Sequence, residues 1–343
     1  MKVALDLQLS LGTATGIGEY AAGLAQALRS AGTDIVALTE PRLDPWRFDR
    51  RVLWDQVVLP ARARMRGADL LHCASGTMPL MSLLPCVVTV HDVAWLRVQQ
   101  HARVYARWYF GAFSLKQYAR AAAIAVDSHF SRAEVLAFSG IPEDRVHVVY
   151  PGVASDFCQL AAAHGTDPFI LVPGTVERRK NLEVLLRALV DAPDARLISV
   201  GPFTPYHDWC VALAARLGVS DRVEFRGYVS RAELLALYAQ CGLVAVPSRY
   251  EGFGYPAAQA LCSGTPLVVS NAASLAEIAG QSAVIVDVDD HHAWAAALQT
   301  ILRDPAAARE TAQQRRACAV ARFSWATSAQ AMLGVYNRAL SAR

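Results

Sequence analysis

Twelve short runs of β-branched and apolar residues are spaced along the chain, separated by stretches of helical periodicity, and they fall into two sets of six. The first set is Val3–Leu7, Ile35–Leu38, Leu70–Cys73, Cys86–His91, Ala123–Val126 and Val146–Val149. The second is Phe169–Val172, Leu197–Val200, Val223–Phe225, Leu243–Val246, Leu267–Val269 and Ala283–Val286. Strands alternating with helices predict parallel sheets covered by helices, an α/β fold. Two sets predict two sheets, in keeping with 343 residues against about 100–200 per domain. The expected units are residues 1–155 and 166–322, joined by a linker within Pro151–Pro168, where Gly, Ala and Pro show no clear period. An amphipathic segment at 325–343 is expected to cross back to the first unit. Ligands of such folds bind where loops leave the carboxyl ends of strands, so a cleft between two facing Rossmann-like domains is the expected active site.

Composition removes several classes. No apolar run approaches the roughly 18 residues of a membrane span, and Asp6 interrupts the apolar start, as in a first strand and not a secretory signal. A cytoplasmic chain is expected. The seven cysteines are odd in number and lack CxxC spacing, which favours free thiols over disulfides or zinc. The net charge of +3 is too small to argue for nucleic acid. Between Arg42 and Arg120, however, 12 Lys and Arg stand against 5 acids, a local +7, interleaved with Trp46, Trp54, Tyr105, Trp108, Tyr109, Phe110, Phe113 and Tyr118. An anionic membrane surface would suit that window, and so would a solvated basic face over ordinary core aromatics.

Four motifs carry chemistry. In Pro247–Pro256, Glu251 and two glycines lie between a strand and a helix. Amides at the helix start can hold an anion, while a carboxylate suits the hydroxyls of a sugar; a sugar attached to a phosphate satisfies both. Gly174–Leu182 puts Arg178, Arg179 and Lys180 after the first strand of the second set, where fixed cations can neutralise a leaving diphosphate. His91-Asp92 ends an apolar strand and can bind sugar hydroxyls or share a proton. Gly16-Ile17-Gly18-Glu19-Tyr20-Ala21 fits the dinucleotide pattern GxGxxA with Glu40 further on, but Gln8–Thr15 intervene after the strand, which argues against NAD. The acids of Asp287-Val288-Asp289-Asp290 are explained by helix N-capping, and no metal is expected.

Together these segments resemble the family 4 retaining glycosyltransferases of the GT-B fold, closest to bacterial mannosyltransferases of polysaccharide assembly. The match runs through GIGEY, VVTVHD, VDSHFSRAEVL, VVYPGV, GTVERRKNLEVLL, GYVSRAELLALY, PSRYEGFGYP and SLAEIAG. The resemblance implies hexosyl transfer from a nucleotide diphosphate sugar with no cofactor or metal. GDP-mannose is the preferred donor, with UDP- or TDP-sugars as alternatives. The acceptor would be a glycan or polyprenyl-diphosphate-linked glycan, reached from the cytoplasmic face of an anionic membrane. It also implies that Glu251 contacts the donor sugar, that Gly174, Gly252, Phe253, Gly254 and Tyr255 line the donor site, and that Arg179 and Lys180 hold the diphosphate. His91 is placed near the sugar, and Gly16 and Gly18 near the leaving group. Gln259 stands where the family usually has a second glutamate for ribose, and its carbonyl can still accept. Thr175 stands where many members have arginine.

Overall fold

A computed structural model describes residues 1–12, 16–97, 104–161 and 169–341. The chain divides into two compact units, Met1–Gly152 with Phe323–Arg343, and Val153–Arg322. Part of the expected linker, 162–168, and the last two residues of the tail lie outside the described residues.

In the first unit, strands β1 (Lys2–Asp6), β2 (Asp34–Leu38), β3 (Leu70–Cys73), β4 (Cys86–Val90), β5 (Ala123–Val126) and β6 (Val146–Val148) form one sheet in the order β2-β1-β3-β4-β5-β6. Every pairing is parallel. β3, β4 and β5 are buried throughout, which explains why their sequences read as continuous apolar runs without alternation. The Gly16–Ser30 helix lays Tyr20, Ala21, Leu24, Ala25 and Leu28 on the sheet. On the same side the Trp325–Ser341 helix buries Met332, Val335 and Tyr336. A buried polar chain ties that last helix to the strands. His72 Nδ1 lies 2.7 Å from the Tyr336 hydroxyl, His72 Nε2 lies 2.8 Å from Thr89 Oγ1, and Thr89 Oγ1 lies 3.0 Å from the Tyr20 hydroxyl. Burial, reinforced by the nearby His91 charge, pushes His72 down to about 3, so its ring is neutral and can both donate and accept.

Trp325, the first residue of that helix, is held in a slot that only glycines permit. A Cβ on Gly23 would fall 2.3 Å from the indole ring, and one on Gly152 would fall 2.4 Å from it. The aromatic window of 46–118 divides: Trp54, Tyr109 and Tyr118 are core residues, whereas Trp46, Tyr105 and Trp108 are exposed.

In the second unit, β7 (Ile170–Pro173), β8 (Leu197–Val200), β9 (Val223–Gly227), β10 (Leu243–Val246), β11 (Leu267–Ser270) and β12 (Val284–Val286) are ordered β12-β11-β10-β7-β8-β9, again all parallel. Its core gathers Leu185, Leu186 and Leu189 from the Leu182–Asp191 helix with Trp294 and Leu298 from the His291–Arg303 helix. All seven cysteines are free; five are buried, Cys158 is half-buried and Cys318 exposed.

Gly23→Ala tests the tryptophan slot. Alanine in a helix interior ordinarily gains close to 1 kcal/mol over glycine, whereas overpacking costs about 1–3 kcal/mol. A fall in Tm is expected. An unchanged or raised Tm would show that the indole moves aside at no cost.

Candidate active site

The strand order of the second unit reverses direction between β7 and β10, and the crevice outside the carboxyl ends of two such strands is where open α/β sheets take ligands. Both motifs singled out in this half leave from those two ends. β7 runs into Gly174, at φ 132°, and β8 into Gly201, at φ 141°. A Cβ on Gly201 would fall 2.2 Å from the Gly174 carbonyl oxygen, so only glycine allows these two backbones to lie together. The chain then makes one tight turn over Arg178–Lys180 and enters the Leu182–Asp191 helix through Asn181. Asn181 is buried in the left-handed region at φ 55°, and its Nδ2 donates to the carbonyls of Pro247 (3.2 Å) and Val288 (2.8 Å). That fixes the basic turn against the end of β10.

The consequence is a closed ion cluster. Lys180 Nζ lies 2.5 Å from Glu251 Oε1, and Arg179 Nη1 lies 3.1 Å from Glu251 Oε2. Arg179 also donates to the Tyr250 carbonyl at 3.0 Å and pairs with Glu177 at 2.9 Å. The Ser248 hydroxyl donates to Glu251 Oε1 at 2.7 Å. Arg178 takes no part in the cluster, since its guanidinium stacks over Tyr206 and Trp209. Burial alone would raise the Glu251 carboxyl; Lys180, Arg179 and Ser248 outweigh it and bring it down to about 2. The acid is therefore ionised and nearly enclosed, at 8% exposure, while Arg179 and Lys180 keep 22% and 17%. Their open sides are where an added anion can reach them.

Behind Glu251, Gly254 at φ 93° caps the Tyr255–Ser263 helix, and its carbonyl accepts from Ala257 at 2.9 Å. Ser274 Oγ is completely buried and 3.0 Å from the carbonyls of Glu251 and Phe253, and Ser270 Oγ donates to the Ser248 carbonyl at 2.6 Å. These serines and Asn181 shape the turn, and sequence reasoning passed over them. Serine and asparagine are common at loop starts, so residue type carried no signal until the register was known. Gln259 lies apart from the cluster: it is buried, and its carbonyl accepts from the Tyr238 hydroxyl at 3.2 Å. One lone pair of the acceptor expected of Gln259 is thus engaged by Tyr238.

His91, Gly16 and Gly18 belong to the first unit. Gly16 opens its helix, and Gly18 lies already within the first turn, buried; a Cβ there would fall 2.4 Å from the Leu9 carbonyl oxygen. The close approach that this glycine permits is to the chain's own backbone. Glu40, the acid that a dinucleotide site would use, is paired with Arg62, which weighs further against NAD. Residues 13–15 of the intervening stretch lie outside the described residues.

The sequence model described as Glycosyl transferases group 1 matches residues 160–317, and that described as Glycosyltransferase Family 4 matches residues 14–157. The chain belongs to the group 1, family 4 glycosyltransferases. A D-inositol 3-phosphate glycosyltransferase of Mycolicibacterium smegmatis is 34% identical over 232 residues, covering 63% of this chain and 52% of that protein. One from Xylanimonas cellulosilytica is 35% identical over 226 residues, covering 60% and 54%. The chain thus spans about half the length of the curated relatives it matches. Among solved structures, sucrose-phosphate synthase from Thermosynechococcus elongatus has a TM-score of 0.78 at 22% identity, covering all of both chains. Anabaena Alr3699/HepE in complex with UDP-glucose has a TM-score of 0.76 at 18% identity, covering 98% of this chain and 99% of that one. These likenesses establish the GT-B fold.

The acidic string of this chain has local duties. Asp290 caps the His291–Arg303 helix by accepting from Ala293 N at 3.0 Å, Asp287 accepts from Asn271 at 3.0 Å, and Asp289 pairs with Arg249 at 2.6 Å. Among the described residues, Asp191, His291 and His292 bring ligand atoms within 4.8 Å of one another. Both histidines sit at a helix N-terminus, whose partial positive charge opposes a cation.

The Glu251 cluster predicts an acid limb in stability. A carboxyl depressed on folding stabilises fully above its ordinary range near 4.5, and this contribution disappears as pH falls through about 2. In urea melts, the stability difference between the wild type and Glu251→Gln should be largest above pH 5 and shrink towards pH 2. A difference independent of pH would contradict the ion cluster.

Proposed function

We propose that this chain is a retaining glycosyltransferase moving a hexose from a nucleotide diphosphate sugar to an acceptor hydroxyl. The observation that carries this reading is the meeting of Glu251 with Lys180 and Arg179 at the topological switch point of the second sheet. Carboxylate oxygens accept from donor-sugar hydroxyls, and the two cations, together with amides of Gly252–Gly254 at a helix start, take the diphosphate. An arriving diphosphate replaces Glu251 as partner of the cations and frees carboxylate lone pairs for the sugar. As the anomeric C–O bond breaks, negative charge grows on the β-phosphate, where Lys180 and Arg179 stabilise it more than in the ground state. The diphosphate leaves from the face that the acceptor attacks, and its oxygen accepts the acceptor's proton. Configuration is retained without an enzymic nucleophile.

GDP-mannose is the preferred donor by resemblance to polysaccharide mannosyltransferases. UDP-linked hexose is the alternative, supported by the UDP-glucose found in a protein of the same fold. A donor-hydrolysis screen over common nucleotide sugars separates them. A charge-assisted hydrogen bond is worth about 1.5–3 kcal/mol, or one to two decades in rate. Lys180→Ala and Glu251→Ala should each lower turnover by more than about tenfold with circular dichroism unchanged, and wild-type rates in both would remove the site assignment.

For the acceptor, we propose a polyprenyl-diphosphate-linked glycan reached by peripheral docking on an anionic bilayer from the cytoplasm. The supporting observation is a groove in the first unit between residues 56–65 and 78–86. Val57, Met65, Leu80, Met81 and Leu83 are exposed there. Its charged lining residues are Arg64 and Arg120, and neither arginine has an ion-pair partner among the described residues. A cationic, apolar face suits anionic lipid headgroups over their acyl boundary and repels a second copy of itself. The groove lies beside the amino ends of β4 and β5, away from the carboxyl edge that carries His91. In flotation, the chain should rise with phosphatidylglycerol-containing vesicles and not with phosphatidylcholine alone, and Met81→Asp/Leu83→Asp should abolish it. Equal recovery with both vesicle types, or none with either, would favour a soluble acceptor such as the inositol phosphate in the names of the curated relatives.

A further inference from the structure

His91 was expected to offer a ring nitrogen to sugar hydroxyls or to share a proton. The structure uses both nitrogens. β4 and β5 are paired with Val90 beside Val126, so the next residue of each, His91 and Asp127, stand side by side at the carboxyl edge of the sheet. His91 Nδ1 is 2.6 Å from Asp127 Oδ2, and His91 Nε2 is 3.0 Å from the Ala74 carbonyl oxygen. A carbonyl oxygen only accepts, so Nε2 carries a proton, and a carboxylate likewise requires one on Nδ1. Tyr20 meets the ring edge-on at 4.8 Å and fixes its plane. The remaining exposure of the His91 side chain is 16%, against 4% for Asp127.

We propose that Asp127 is a positioning residue that holds His91 as a doubly protonated imidazolium, so that His91 serves the transfer as a fixed positive charge and not as a base or a sugar-hydroxyl acceptor. This deepens the glycosyl-transfer reading and rests on it for the role in turnover. No proton moves: the ring keeps both, and its charge favours an anionic group at the carboxyl edge of the first sheet. Burial raises the Asp127 carboxyl, and the His91 charge and hydrogen bond oppose that rise. Burial disfavours the charged ring, but Asp127, the Ala74 carbonyl and Asp92 outweigh it and raise the pKa of His91 above the usual histidine range. His72, from β3, is neutral, and burial raises Tyr20 so that its hydroxyl stays protonated. Among the described residues Asp127 Oδ1 is buried with no hydrogen-bond partner, so His91 is the group there that compensates this carboxylate.

The sign of the pH dependence follows. A raised histidine is fully charged below its ordinary value near 6.5 and loses its charge as pH rises through the higher folded value. Two-bond ¹H–¹⁵N correlation spectra of the full chain with ¹⁵N-labelled histidine, with the His91→Gln spectrum to assign the signal, read the ring directly. At pH 7 the wild type should show both His91 nitrogens in the imidazolium range. In Asp127→Asn, burial without its counter-charge should make His91 neutral at pH 7 and move the alkaline limb of kcat/KM to lower pH, with kcat falling more than donor KM rises. A neutral, single-proton ring in the wild type at pH 7 overturns the proposal even if the variant fails to fold. An unchanged ring and an unchanged pH profile in a folded Asp127→Asn overturn it as well. The spectra need no substrate, so an imidazolium in a chain inactive towards every donor would leave the pair standing and remove only the transferase reading.

Discussion

The candidate site depends on one electrostatic contact, the pairing of Glu251 with Lys180 and Arg179. A carboxylate at 8% exposure is strongly disfavoured without partners, and two cations brought together repel each other; each defect cancels the other. The cluster can exist only because two chain segments about 70 residues apart emerge from adjacent strands. That adjacency comes from the order β10-β7 in a parallel sheet, which the connecting helices impose. The fold thus provides the site by topology before any side-chain chemistry enters.

The two units solve the same problem with opposite signs of emphasis. In the second, one acid is surrounded by two cations that retain partial exposure, so the cluster leans towards binding anions. In the first, one histidine is placed between the Asp127 carboxylate and a backbone carbonyl, so both of its ring nitrogens are engaged. Both arrangements lie at carboxyl ends of parallel strands, and both are braced by buried side chains such as Ser274 and Tyr20.

Strand positions were legible because buried parallel strands must be short, apolar and bounded by breakers; Leu70–Cys73, Ala123–Val126, Leu197–Val200 and Leu243–Val246 appear with the same limits in both readings. At Cys86–Val90, in place of Cys86–His91, the residue that leaves the strand is polar and turns to a side-chain partner. Glu251, Arg179 and Lys180 were legible because charge is conspicuous beside glycine. Three things were not. Gly18 looks like a phosphate-binding glycine in sequence, but steric need against Leu9 has the same signature. The hydroxyl from which Gln259 accepts belongs to Tyr238, 21 residues earlier, and no local motif marks it. The occupancy of both His91 nitrogens depends on a carbonyl, which every residue possesses and no sequence pattern marks.

The slot that grips Trp325 has a bearing on how the molecule is made. A ribosome delivers β1 to β6 early, yet the helix that covers one side of their sheet, anchored by that indole and by the Tyr336–His72 bond, is translated after the whole second unit. Nascent chains therefore carry a sheet side covered by the Gly16–Ser30 helix alone while the second unit is made, whereas that later-born unit has all its own strands and helices available first.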